Sequence, residues 1–288
     1  MIPASFEYVA PASVADAIAL LQEHGEEAKI LAGGHSLIPL MKLRLTEPGV
    51  LIDIGGIGEL VGISRKNGGI AIGALTTYTT IGGAGELDGL DALTEAAQAV
   101  GDVQVRNRGT IGGSLAHADP GADMPAAVLA LDAEIVLRGP SGERTVRADD
   151  FFQGLFTTDV GEGEVITEIR VSPSPARTGT AYVKFPNPAS GYAVVGVAAR
   201  LTLNADGAVD DARIAITGAG DHAVRATSVE DALRGQTLSA DLIQSASATA
   251  ADGIDTLDDI HASAGYRAEL ARVFTRRALT KAHERAGR

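Results

Sequence analysis

A chain of 288 residues with 45% hydrophobic and 21% charged side chains has the composition of an ordinary folded protein and room for two domains. Its formal charge of −13 excludes a broad nucleic-acid surface, which clustered Lys and Arg would have to supply. The absence of cysteine excludes, on this chain, disulfides, a cysteine nucleophile, thiolate zinc and a cysteine-ligated iron–sulfur cluster.

Met1–Tyr8 lacks a basic stretch followed by an apolar run, and no segment approaches the roughly 20 apolar residues that span a bilayer, so a cytoplasmic protein without a membrane span is expected. Ser13 is a good N-cap, Val14, Ala17, Ile18 and Leu21 share a helical face, and Gly25 supplies a stop. A short strand over 29–32 and another over 50–54 flank the segment GGHSLIPLMKLRL, giving α/β alternation. The runs 60–64 and 70–74 around Arg65-Lys66-Asn67-Gly68-Gly69 predict a hairpin. Helices are predicted over 90–100 and 123–131, a second hairpin over 134–146 and a strand over 165–171. Ser172-Pro173-Ser174-Pro175 interrupts regular structure and marks a boundary, giving domains 1–175 and 176–288. Strands over 182–185, 192–203 and 213–217 and then three helices make the second domain α+β.

Two segments carry chemistry. Leu31-Ala32-Gly33-Gly34-His35-Ser36-Leu37 sets a glycine pair directly after a strand, where consecutive N–H groups can be exposed as an anion-binding nest. Thr110-Ile111-Gly112-Gly113-Ser114 repeats the device, and two nests suit a diphosphate. Each glycine pair taken alone reads equally as a turn. Gly218-Ala219-Gly220-Asp221-His222-Ala223 has the form of a dinucleotide fingerprint, but the helical sequence after it does not continue a Rossmann unit. His117, Asp119 and Asp123 match no common zinc or calcium spacing. The last helix, 266–285, carries Arg and Lys around Leu270, Val273, Phe274 and Leu279 and reads as a solvated basic face or a dock for an acidic partner.

The longer strings AGGHSLIPLMKLRL and GTIGGSLAHADPGADMPA, with IPASFEYVAPASVADAIALL, ASGYAVVGVAA and YRAELARVFTRRAL, closely resemble the FAD-binding medium subunits of carbon monoxide dehydrogenase and related molybdenum hydroxylases. The resemblance implies an α+β fold: a two-part FAD-binding domain of the vanillyl-alcohol oxidase type, followed by a small C-terminal domain. It implies that Ala32, Gly33, Gly34, His35, Ser36 and Leu37, with Thr110, Ile111, Gly112, Gly113 and Ser114, line the diphosphate. It further implies that Asp123 takes ribityl or ribose hydroxyls, that Tyr192 covers the isoalloxazine, and that Ile166 and Lys184 approach the flavin. Asp123 reads otherwise as an N-cap, Tyr192 as half-buried packing, and His35 and His117 as loop structure or non-covalent cofactor contacts. No general acid or base is expected. Molybdenum cofactor and [2Fe-2S] clusters are expected on a large and a small partner, in a dimer of heterotrimers. Carbon monoxide leads as the substrate of the complex, with aldehyde, purine or nicotine-type substrates as alternatives. A free-standing flavin oxidase is a further alternative, and the electron acceptor stays open among quinone, NAD and oxygen.

Overall fold

The computed structural model describes residues 2–66 and 68–287. The chain begins with β1 (Glu7–Val9), α1 (Val14–His24), β2 (Ala28–Leu31), α2 (Leu37–Lys42) and β3 (Val50–Asp53). β3 lies between β1 and β2 and runs parallel to both. Ser13 caps α1 by accepting from the Asp16 N–H, and Gly25 ends it at φ 51°. Val14, Ala17 and Ile18 pack on Val50 and Ile52, while Leu21 packs at the edge of the same core. β3 is central in its sheet, so Val50, Leu51 and Ile52 form an unbroken buried run.

The second part holds β4 (Ile63–Lys66), β5 (Gly69–Gly73), α3 (Tyr78–Gly83), α4 (Asp91–Ala99), α5 (Val103–Arg108), α6 (Ile111–His117) and α7 (Asp123–Ala130). It continues with β6 (Glu134–Gly139), β7 (Gly142–Arg147), α8 (Ala148–Phe151), β8 (Phe152–Gly154), β9 (Thr157–Thr158) and β10 (Val165–Val171). Five of these strands form one antiparallel sheet in the order β4-β5-β10-β6-β7. Both expected hairpins pair, but the first strand of the first is shifted from 60–64 to 63–66: Gly58–Leu60 form a 3-10 turn, and Arg65 and Lys66 belong to the strand rather than to the turn. Asn67 lies outside the described residues. Every residue of α7 is buried, because the helix is enclosed between α4, α6 and the sheet that follows in sequence.

That sheet is antiparallel, β11 (Thr178–Pro186), β12 (Ala193–Leu203), β13 (Val209–Thr217) and β14 (Val224–Arg225), and is followed by α9 (Thr227–Leu233), α10 (Ala240–Ser247) and α11 (Ala264–Ala286). α11 packs against β11 and β12, and α4 and α7 of the preceding part also contact this sheet. Covered on both faces, β12 is buried along almost its whole length, without the alternation of a half-exposed strand. β13 pairs antiparallel with both neighbours, so the Gly218–Ala223 string does not sit in a Rossmann βαβ unit. Several cations of α11 pair with the elements packed against the helix. Arg267 is buried and donates to the carbonyls of Val194 and Gly218 at 2.7 and 2.6 Å and to Asp259. Arg285 and Lys281 both reach Glu95 of α4, which also accepts from the Tyr182 N–H of β11. No helix among the described residues is long and apolar enough to cross a membrane.

Candidate functional site

A cavity of about 520 Å³ opens between the first sheet, the α5–α7 region and the turn before β12. That volume is in the range of a small-molecule or cofactor site. β2 delivers Ala32 through Leu37 to its wall, α6 and its cap deliver Thr110, Gly113 and Ser114, the start of α7 delivers Asp123, and the turn before β12 delivers Tyr192. Of the residues singled out from sequence, these eleven come together. Ile111, Gly112, Ile166 and Lys184 do not line the cavity. Ile166 lies in β10 opposite Leu137, within the hydrophobic core.

The two glycine segments meet, and they do different work. A Cβ on Gly33 would stand 2.2 Å from the Arg108 carbonyl oxygen and 2.9 Å from the Gly109 Cα, so only glycine lets the first segment lie against the backbone ahead of the second. Gly34 follows at φ 76°. Among the described residues, the N–H groups of Gly33, Gly34, His35, Ser36 and Leu37 have no acceptor within the chain. Consecutive unpaired donors on a cavity wall form an anion cradle. The His35 ring is held by the Gly33 carbonyl at 3.1 Å, so it braces the segment.

The second segment is not a nest. Thr110 is the N-cap of α6 and its hydroxyl accepts from the Gly113 N–H. The Ile111 and Gly112 N–H groups donate to Thr76 and Ala74, and the Ser114 N–H donates to Thr110. All four N–H groups from Ile111 to Ser114 are therefore consumed inside the fold, leaving this segment its hydroxyls and its glycine surface. A Cβ on Gly112 would lie 2.6 Å from the Ala74 Cβ and 2.8 Å from its carbonyl oxygen. Gly112→Ala is expected to cost about 1–3 kcal/mol by overpacking, read as a lowered urea midpoint at unchanged slope. No change in midpoint would mean that Ala74 yields freely.

Asp123 is 4% exposed and is the first residue of α7; the N-cap is Ala122, with no side-chain cap bond, so the capping role does not apply. Its carboxylate is held from the C-terminal part of the chain. The Tyr182 hydroxyl donates to Oδ1 at 2.5 Å, and Lys184 Nζ lies 2.9 Å from Oδ1 and 3.0 Å from Oδ2. Lys184 also donates to the Gly191 carbonyl at 2.6 Å, next to Tyr192. Residues 182 and 184 share one face of β11, which explains why both reach α7. Burial pushes the Asp123 carboxyl above the usual carboxylate range, against the opposing pull of Lys184 and Tyr182. A carboxylate has about four acceptor positions, so the wall keeps room to accept a ligand hydroxyl.

Sequence reasoning did not reach Tyr78, Lys29 or Val105, which also line the cavity. Tyr78 lies where a Cβ on Gly109 would stand 2.4 Å from its ring, and burial pushes its phenol up to about 12 despite the Ser114 hydroxyl beside it. No short motif announces such a residue; it is found only once α3 is folded against residue 109. No group of three or more potential metal ligands occurs among the described residues.

Residues 4–174 match the family described as the FAD binding domain in molybdopterin dehydrogenase, and residues 180–282 match the carbon monoxide dehydrogenase flavoprotein C-terminal domain. The chain belongs to this flavoprotein family. It is 41% identical over 286 residues, with 99% of each chain covered, to the carbon monoxide dehydrogenase medium chain of Hydrogenophaga pseudoflava. It is 39% identical over 287 residues, covering 99% of this chain and 97% of the relative, to the 6-hydroxypseudooxynicotine dehydrogenase complex subunit alpha of Paenarthrobacter nicotinovorans. A solved structure of carbon monoxide dehydrogenase from Hydrogenophaga pseudoflava, lacking the Mo-pyranopterin moiety, superimposes with a TM-score of 0.95 at 43% identity and 99% coverage of both chains. The flavoprotein is thus the FAD subunit of a molybdenum hydroxylase, an oxidoreductase component with the two-part FAD domain and α+β C-terminal domain that the sequence implied.

Proposed function

We propose that the cavity is the FAD site and that Gly33, Gly34, His35, Ser36 and Leu37 hold the diphosphate through their backbone N–H groups. The observation carrying this reading is that run of five unpaired donors against a cavity wall. Each hydrogen bond to a charged phosphate contributes about 1.5–3 kcal/mol, so local donors outweigh the chain's net charge of −13. Thr110 and Ser114 add hydroxyls, Asp123 accepts a sugar or ribityl hydroxyl, and Tyr192 flanks the isoalloxazine. Lys184 acts behind Asp123, fixing its orientation, and Gly112 acts by packing. FAD when bound supplies the capacity to take up and release electrons singly or in pairs; the protein positions it and keeps water from its buried faces.

In this reading the chain is the electron relay between [2Fe-2S] clusters of a small partner and an external acceptor, in a complex whose large partner carries the molybdenum cofactor, assembled as a dimer of heterotrimers. A partner is required because a chain without cysteine cannot ligate such a cluster through thiolates. The leading substrate of the whole complex is carbon monoxide, supported by 41% identity to a carbon monoxide dehydrogenase medium chain. A nicotine-type substrate is the second reading, supported by 39% identity to the 6-hydroxypseudooxynicotine relative. Purification with the native partners, followed by anaerobic assay with an acceptor dye, tests both. Carbon monoxide is expected to reduce the dye; reduction by a pyridine substrate alone supports the second reading and overturns the first.

A further inference from the structure

Away from the glycine segments, a residue lining one end of the cavity is in contact with an aromatic ring that does not itself line it, a contact that neither the sequence motifs nor the FAD-holding residues account for. His117 is the last residue of α6 and lines the cavity. The Phe156 ring lies on it, with ring centroids 5.1 Å apart and planes tilted by 36°. His117 Nε2 is 4.0 Å from an Asp119 oxygen, and Asp119 and Tyr192 both border Gly121, so the contact belongs to the Tyr192 end of the cavity. Phe156 occupies the turn of the β8–β9 hairpin with its neighbour Leu155, and the two are 52% and 54% exposed. Its backbone is left-handed, φ 51°, a conformation that phenylalanine rarely adopts. The root of the hairpin is fixed: Phe151 and Phe152 are buried, and Arg144 binds Asp159 and Glu164 just beyond β9. A rigid root thus presents a strained, half-exposed aromatic tip against a residue of the cavity wall.

We propose that Phe156 is a lid on the Tyr192 end of the cavity, seated on His117, which restricts how external oxidants and solvent reach the bound flavin. The proposal rests on the assignment of this cavity to FAD. Strain at Phe156 favours a glycine there, yet glycine would lose the ring that lies on His117, so the phenylalanine supplies a contact that the turn itself does not need.

The experiment compares the full chain with its Phe156→Gly variant, each with and without FAD. Flavin content is measured first, and a wild-type chain that retains no FAD defeats the site assignment rather than the lid. His117 acylation by diethylpyrocarbonate, followed by peptide mass spectrometry, is expected to run several-fold faster in the variant. FAD is expected to slow it in both proteins. In dithionite-reduced, FAD-loaded protein, recovery of flavin absorbance with a bulky benzoquinone is expected to be several-fold faster in the variant; two electrons and two protons pass to the quinone, giving the hydroquinone. Flavin content is expected to match the wild type. Equal His117 acylation, or equal quinone rates in the two proteins, overturns the lid. A variant that leaves both rates unchanged but no longer assembles with the native partners also overturns it and makes the tip a docking contact.

Discussion

Gly33→Ala is expected to abolish FAD retention while leaving the protein folded. The added Cβ falls 2.2 Å from the Arg108 carbonyl oxygen and 2.9 Å from both the Arg108 carbonyl carbon and the Gly109 Cα. These are backbone atoms, so no rotamer change relieves the clash, and the segment from 33 to 37 has to lift from the wall. Displacing two N–H donors from a phosphate removes about 3–6 kcal/mol at the usual strength of charge-assisted bonds. The dissociation constant for FAD then rises by about two to four orders of magnitude. Gly33 is only partly buried and at the edge of the fold, so the urea midpoint is expected to move little. An alanine variant that keeps wild-type affinity would show that the N–H run does not carry the diphosphate.

Asp123→Ala is expected to be among the most destabilising single changes in the chain. It strands the Lys184 ammonium, whose side chain is 7% exposed, and leaves the buried Tyr182 hydroxyl without its acceptor. Removing one partner of a buried ion pair costs about 3–5 kcal/mol, most of it from the charge left behind. A double variant, Asp123→Ala with Lys184→Met, is expected to recover much of that loss, because the stranded charge goes with it. The reverse test is informative too: Tyr182→Phe removes one hydrogen bond and should cost only about 1–2 kcal/mol. Denaturant unfolding of the wild type, Asp123→Ala, Lys184→Met and the double variant gives the coupling energy of the pair directly. A double variant no more stable than Asp123→Ala alone would mean that the pair is not the source of the cost.

The elements that local chemistry specifies were legible in sequence. α1 carries its cap, its apolar face and its stop within 13 residues, from Ser13 to Gly25, and the structure reproduces each. β12 was legible because a long apolar run rich in β-branched valine suits a strand covered on both faces. The second glycine segment was not. Each glycine inside a helix costs about 1 kcal/mol relative to alanine, so Thr110–Ser114 reads as a loop; packing of Gly112 on Ala74 makes it the first turn of α6 instead. The same local view hides the partners of Asp123, since Tyr182 and Lys184 lie 59 and 61 residues away and meet it only through β11. The pairing of Arg267, Lys281 and Arg285 with neighbouring elements was equally invisible, because a helix sequence states which residues share a face but not what that face meets.

The most direct measurement is a titration of the full chain with FAD, followed by absorbance and by calorimetry, beside the same titration of Gly33→Ala. Saturable binding of one FAD per wild-type chain is expected, with loss of that binding in the variant. A wild-type chain that does not bind FAD, or a variant that binds it as well as the wild type, would contradict the claim that the Gly33–Leu37 backbone is the cradle of the cofactor.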